Sequence, residues 1–247
     1  MLKNNINTLI LVISLIGLTH FCNAQNSKIP NENYADKKFS VSINAVYSYQ
    51  YGLRGDYYIN TSLIDLANQA RNGFGYYIDA HMALNKSRSF FIGLEYANIQ
   101  SYGSLNSAKL ISKKTATVYE GTLDLKIRSR IIGLNFMLAL SKKNPKHCVY
   151  FIFGLDQTKY NEEYNIAGKY SSGYSRNFTL NYGFKYDKRI NRNWAISSGV
   201  VLNKGIIIFL ENENLLEDYN SLLGGDEVDI GKLNFSVGAR YYFGKKL

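Results

Sequence analysis

Residues 39–51, FSVSINAVYSYQY, alternate between apolar or aromatic side chains and small polar ones with a period of two. In an extended chain, the odd-numbered residues from Phe39 to Tyr51 fall on one face. The even-numbered residues from Ser40 to Gln50 fall on the other. Alternation over this length, without Gly or Pro, is typical of a β-strand that separates an apolar environment from a polar one.

The same alternation recurs in seven further segments. They cover residues 74–84, 90–96, 132–140, 149–155, 178–186, 194–202 and 233–243. The connections after the second, fourth and sixth strands are short, at 85–89, 141–147 and 187–193. Those after the first, third, fifth and seventh are long, at about 52–73, 98–120, 157–173 and 204–231. Short turns at one end and long loops at the other predict an all-β fold, an eight-stranded antiparallel up-and-down transmembrane β-barrel.

The polar face indicates which side of the barrel faces lipid. In the first strand this face carries Ser, Asn and Gln with no charge, and many glycines of the other strands share it. Small neutral side chains suit the narrow interior of eight strands, so the apolar face would contact lipid. An exported soluble β-barrel that binds a small apolar ligand has the same period with its apolar face inward, and this alternative stays open.

Aromatic and basic residues concentrate at the strand ends. The predicted interfacial aromatics are Tyr47, Tyr49 and Tyr51 near the long loops, and Trp194, Tyr241 and Phe243 near the short turns. The short turns are rich in Lys and Arg, which would face anionic lipid head groups and contribute to the formal net charge of +10. No basic cluster is interleaved with exposed aromatics, so we expect no nucleic-acid partner.

The N-terminus has the features of a cleaved export signal. Leu9–Leu18 is apolar but too short to span a bilayer, and Cys22-Asn23-Ala24 fits cleavage after Ala24. Lipidation of Cys22 is the rival interpretation, and Phe21 before it fits that poorly. The predicted organisation is a signal peptide (1–24), a flexible lead-in (25–37), an outer-membrane β-barrel (38–243) and a short C-terminal tail (244–247).

Three segments within the predicted loops invite local predictions. Ser62–Arg71 and Asn214–Leu223 are each expected to form a short helix. The run Ile206–Leu210 is expected to extend the seventh strand, with a lid over the barrel mouth as the alternative.

Apolar residues change from odd to even positions across residues 128–130, which indicates either a β-bulge or a hairpin projecting above the membrane.

Several charged residues fall on the face assigned to the barrel interior. This predicted lumen polar network consists of Asp79, His81, Glu95, Asp156, Lys185 and Arg240. Buried charges must be paired, so ion pairs that hold the barrel together are the expected arrangement. A lumen-based enzyme using Asp79, His81 and Glu95 is a second alternative. With no nucleophile motif and too few His and Cys for a zinc cluster, we expect no catalytic residue, cofactor or metal site.

Two segments carry a family resemblance. Residues 233–243, LNFSVGARYYF, resemble the closing strand of small outer-membrane barrels, whose terminal aromatic is read by the barrel assembly machinery. Residues 130–143, RIIGLNFMLALSKK, are similar to a strand of the small outer-membrane protein β-barrel domain family, the PorT-like and OmpX-like group. The resemblance implies a monomer in the Gram-negative outer membrane. Its structural or interaction role would involve long extracellular loops that contact an external partner or a secretion component.

Overall fold

A computed structural model describes residues 37–51, 61–85, 89–111, 118–140, 146–166, 168–207, 211–213, 228–229 and 231–244. Its elements in chain order are β1 (Phe39–Gln50), α1 (Thr61–Ala70), β2 (Asn72–Ala83), β3 (Phe90–Ile111), β4 (Val118–Ala139), β5 (His147–Ile166), β6 (Lys169–Arg189), β7 (Trp194–Lys204), β8 (Ile206–Ile207), β9 (Glu211–Glu213), β10 (Val228–Asp229) and β11 (Lys232–Phe243). The signal peptide, all but the last residue of the lead-in and the helix expected at Asn214–Leu223 lie outside the described residues and stay predictions.

Within these ranges eight strands form a closed antiparallel ring. Each strand from β1 to β6 pairs with the next one in sequence, and β11 pairs with both β7 and β1. The β5–β6 pairing closes the cylinder. The short β9 pairs with β6, while β8 and β10 form a separate two-stranded ladder. The predicted eight-stranded up-and-down barrel is confirmed.

The apolar face of the ring points outward. Phe178, Phe74 and Leu94 are 69, 67 and 64% exposed, whereas Ser42 and Asn44 on the opposite face are 1 and 3% exposed. This outward band of apolar side chains is here termed the belt. Since every barrel strand has two paired neighbours and the belt faces away from the axis, the cylinder meets both requirements for crossing a bilayer with strands. The soluble alternative needed the opposite orientation and is wrong.

Strands β3 to β6 are far longer than predicted. Residues 98–120 and 157–173 were expected to be loops, but β3 runs to Ile111, β4 starts at Val118, and β5 and β6 reach Ile166 and Lys169. The β4–β5 register is unbroken from Leu123 to Ala139, so no bulge occurs at residues 128–130. A register shift lies instead in β3, between Leu105 and Ala108.

The change of parity in β4 marks the point where that strand leaves the membrane. Leu123, Leu125 and Ile127 point inward and are almost fully buried, whereas Ile132 and Leu134 point outward. Below this point the apolar side chains contact lipid. Above it the outer surface contacts water, so the apolar side chains fill the interior instead. The projecting hairpin, one of the two interpretations left open above, is therefore correct.

Local sequence signals account for the helix and the tight turns. α1 lies within one residue of the predicted Ser62–Arg71, and its Leu66 is buried against the upper interior. In the β6–β7 turn, the Asn191 side chain accepts hydrogen bonds from the backbone N–H groups of Asn193 and Trp194, both at 2.9 Å. No helix among the described residues is long and apolar enough to cross a bilayer.

The run expected to extend β7 breaks at Gly205. Ile206 and Ile207 remain extended but pair with Val228–Asp229, forming a ladder separate from the barrel sheet. The remainder of that run, 208–210, lies outside the described residues.

Candidate functional site

The interior at membrane depth is polar and densely hydrogen-bonded. All six residues of the predicted lumen network project into it: Asp79 and His81 from β2, Glu95 from β3, Asp156 from β5, Lys185 from β6, and Arg240 from β11. Side chains alternate between the two faces of each strand. These six residues lie on the same face as the small polar residues of their strands, and that face points inward. They form two linked groups, one around Asp79 and one around Glu95.

The first group neutralises Asp79. Its carboxylate is ion-paired with Lys185 and lies 3.1 Å from Arg240 Nη2. Arg240 Nε lies 3.1 Å from Oδ2 of Asp187, which also accepts a hydrogen bond from the Tyr242 hydroxyl. Two carboxylates therefore face two cations, and all four side chains are buried. Asp187 and Tyr242 complete the group and extend it beyond the six predicted residues.

His81 is held at both ring nitrogens. Asn135 directs its amide nitrogen towards Glu95, which leaves its Oδ1 facing His81 Nε2 at 2.6 Å. Nε2 is therefore the donor of that bond, and Nδ1 lies 3.1 Å from Asp79 Oδ1 and 3.2 Å from Arg240 Nη1. Both nitrogens are engaged, so the ring acts as a bridge between the two groups.

The second group surrounds two carboxyls with neutral donors. Asn181 Nδ2 lies 2.6 Å from Glu95 Oε1 and 2.8 Å from both oxygens of Asp156. Tyr77 donates its hydroxyl to Glu95 at 2.6 Å, and Asn203 donates to Asp156 at 3.0 Å. The lumen network predicted from charged residues does not include these amides and the phenol. Their inward parity was the available signal.

The interior formed by the described residues is tightly packed at membrane depth. Asp79, His81 and Arg240 are 1, 2 and 0% exposed, and the void beside Glu95 and Lys185 measures about 20 Å³, room for one water molecule. Among the described residues, no group of three or more His, Cys, Asp or Glu side chains could hold a metal ion. The hydrogen bonds and ion pairs of the two groups cross-link the barrel wall at membrane depth.

A second site lies on the outer surface above the belt, where β3, β4, β5 and β6 project. This outer groove has a volume of about 530 Å³. Tyr102 and Tyr170 on its walls are 58 and 55% exposed. Its other lining residues include Gln69, Ser104, Asp124, Lys126, Glu163 and Asn165.

Hydrogen bonds and an ion pair fix the shape of the outer groove. Gln69 of α1 accepts from the backbone N–H of Ser104 at 3.0 Å, and the Ser104 hydroxyl donates to Asp124 at 2.7 Å. Lys126 Nζ lies 3.4 Å from a Glu163 carboxylate oxygen. The surface thus combines two aromatic rings with a defined set of donors and acceptors.

The predicted interfacial aromatics lie at the two ends of the barrel. Trp194 packs on Tyr241 with ring centroids 4.9 Å apart, and Tyr241 stacks on Phe243 at 6.1 Å, all at the short-turn end. Tyr47 packs on Phe74 near the opposite end, at 5.3 Å. Tyr49 follows on the same face of β1. The Tyr51 hydroxyl instead donates to the backbone carbonyl of Asn203, at 3.4 Å.

No protein-family model matches the chain, and no curated protein does so either. Among solved structures, Neisserial surface protein A is similar at 14% identity with a TM-score of 0.47, over 83% of this chain and 97% of that one. A major outer membrane protein from Thermus thermophilus gives 10% and 0.48, over 83% and 99%. The outer membrane protease OmpT from Escherichia coli gives 9% and 0.40, over 87% and 99%.

At such low sequence identity, the similarity to these structures concerns only the barrel fold and does not indicate the activity of this chain. The chain's own geometry is decisive: a ring without free edges, a belt of exposed apolar side chains and a polar interior. Those features make it an integral outer-membrane β-barrel of the small eight-stranded type, as the resemblance in its sequence implied.

Proposed function

We propose that this barrel anchors a recognition surface, the outer groove, on the outside of the cell. There it contacts an external partner or a secretion component. The observation that carries the proposal is the continuation of β3–β6 beyond the belt as a folded sheet with two exposed tyrosines. Tyr offers a large contact area at low entropic cost and is enriched where proteins bind one another. The long-loop end of outer-membrane barrels faces outward, which gives the groove its orientation.

An anchoring role fits the interior better than a conducting role. The buried ion pairs around Asp79 fill the lumen at membrane depth, and the apolar residues of the projecting hairpins fill it above, beneath Leu66 of α1. An ion would have to displace both layers to cross. We therefore expect the refolded chain to give no stable open channel in planar bilayers.

A photo-activated cross-linking residue tests the groove directly. It is introduced at Tyr102 or Tyr170 and irradiated in intact cells. Leu155, in the belt, and Asn191, in a short turn, are the matched control positions. The proposal expects a discrete adduct at the groove positions alone. Identical adducts at all four positions, or no adduct at the groove, would reject it.

Entry into the membrane follows from the last strand. We propose that the barrel assembly machinery recognises β11 through Phe243, whose ring is exposed and stacks on Phe39 with centroids 5.7 Å apart. A monomer is expected, because the ring closes within one chain and leaves no barrel edge to pair. Replacing Phe243 by Ala should lower the amount of folded protein in the outer membrane, measured by heat-modifiable migration on gels.

A further inference from the structure

Three cations stand side by side on the outer surface of the barrel. Arg130 on β4 is the cross-strand partner of Lys159 on β5, and Lys159 is in turn the partner of Arg176 on β6. All three side chains lie on the outward face; Arg130 and Arg176 are exposed and Lys159 is half-buried. These three residues are termed the cation row.

The cation row lies at the upper edge of the belt. Ile132 lies two residues below Arg130 on the same face and is 59% exposed. Phe178 lies two residues below Arg176 and is 69% exposed. On β5, Gln157 and then Leu155 follow below Lys159. Two strand residues span about 7 Å, so the charged ends sit where acyl chains give way to lipid head groups.

No carboxylate among the described residues neutralises the charge of the row. Across the described ranges, none of its three members lies within ion-pair distance of a carboxylate. Lys159 lies over the Tyr174 ring, 5.5 Å from its centroid. Lys126, four residues before Arg130 on the same face of β4, is by contrast paired with Glu163 at 3.4 Å.

Like charges directly opposite each other destabilise a sheet. Three such neighbours in one row, at the head-group level, call for an anion from outside the chain. The adjoining belt residues Ile132, Leu155 and Phe178 would contact the acyl chains of a molecule whose anionic group reaches the row.

We propose that the cation row binds the phosphate groups of a phosphorylated lipid in the outer leaflet. A guanidinium donates two parallel hydrogen bonds to a phosphate, and the lysine between the two arginines adds a point charge. One lipid can thus contact the belt through its acyl chains and the row through its phosphates. This inference does not depend on the outer groove having a partner.

Native mass spectrometry of the refolded full chain tests the proposal, with bisphosphorylated lipid A as the probe. The variant R130Q/K159Q/R176Q is compared with wild type, and K126Q is the matched control because it removes a cation that is already paired. Losing three interfacial cations should weaken lipid A retention about 100-fold, while K126Q retains it like wild type. Heat-modifiable migration confirms that each variant is folded.

A second arm uses lipid A stripped of both phosphates, which wild type and the triple variant should retain equally weakly. A third arm adds inorganic phosphate, which lacks acyl chains and should not displace lipid A at equal concentration. Equal retention of lipid A by wild type and the triple variant would overturn the proposal. So would equal retention of the phosphorylated and dephosphorylated lipids by wild type. If the triple variant does not fold, R176Q alone gives the same comparison with a smaller loss.

Discussion

Replacing Asp79 by Asn removes the charge at the centre of the interior while preserving the shape of the side chain. Asp79 faces Lys185 and Arg240, which are 2 and 0% exposed, so solvent cannot compensate either cation. Arg240 keeps Asp187 at 3.1 Å. Lys185 keeps the Tyr77 hydroxyl at 2.7 Å and no longer faces a full negative charge on β2.

The magnitude of the destabilisation follows from losing the Asp79 charge beside the buried Lys185. Removing one partner of a buried ion pair costs about 3–5 kcal/mol, and the surviving Arg240–Asp187 pair points to the lower end, about 3 kcal/mol. Lys126→Gln is the matched control, because its pair with Glu163 has side chains 31 and 26% exposed. Exposed pairs of that kind contribute about 0–1 kcal/mol.

Urea titration of the refolded chain in lipid vesicles measures the loss in free energy of unfolding for both variants. Trp194 is the only tryptophan in the sequence, so its fluorescence reports unfolding without substitution. A loss for Asp79→Asn no larger than that for Lys126→Gln would refute the idea that the buried charges stabilise the barrel. Adding Lys185→Met to Asp79→Asn removes the stranded cation and should recover part of the loss.

Three further predictions concern the belt, the barrel wall and the orientation. Leu94→Arg puts a charge into lipid and should cost about 2–4 kcal/mol by the same titration, whereas Tyr170→Arg above the membrane should stay within about 0.5 kcal/mol of wild type. Gly238→Ala should prevent folding, seen as loss of heat-modifiable migration, because a Cβ there would lie 2.0 Å from a backbone carbonyl oxygen of β1. In a Cys148→Ser background, a membrane-impermeant maleimide should label Tyr170→Cys on intact cells and leave Asn191→Cys unlabelled; the reverse pattern would invert the orientation.

The sequence predicts the number of strands, the closed ring and the direction of each side chain. It does so because every strand of the barrel wall alternates outward apolar residues with inward polar ones. Phe74 and Phe178 lie on the outward face, and Ser42 and Asp79 lie on the inward face. The same parity places the neutral Asn135 on the inward face, where it is fully buried. Which inward residues touch depends on strand register and tilt, and alternation alone does not encode these.

The lengths of β3 to β6 were predicted wrongly because the alternation reverses where the outer surface passes from lipid to water. Above that level the apolar side chains point inward. Leu123, Leu125 and Ile127 break the outward pattern of the belt, so alternation alone left both a β-bulge and a projecting hairpin open. They are regular strand residues whose outer surface meets water. Arg128 and Arg130 are outward cations at this change of parity. A cluster of this kind is the sequence signal that locates the membrane boundary.

The outward orientation of the belt is the central claim, and quenching by brominated lipid tests it most directly. In a Trp194→Phe background, Leu94→Trp puts the only tryptophan at mid-belt. Vesicles brominated near the middle of the acyl chains should then quench its emission strongly relative to unbrominated vesicles. Equal emission in the two kinds of vesicle would mean that this side chain does not face lipid, and the assignment of the belt to the bilayer would be wrong.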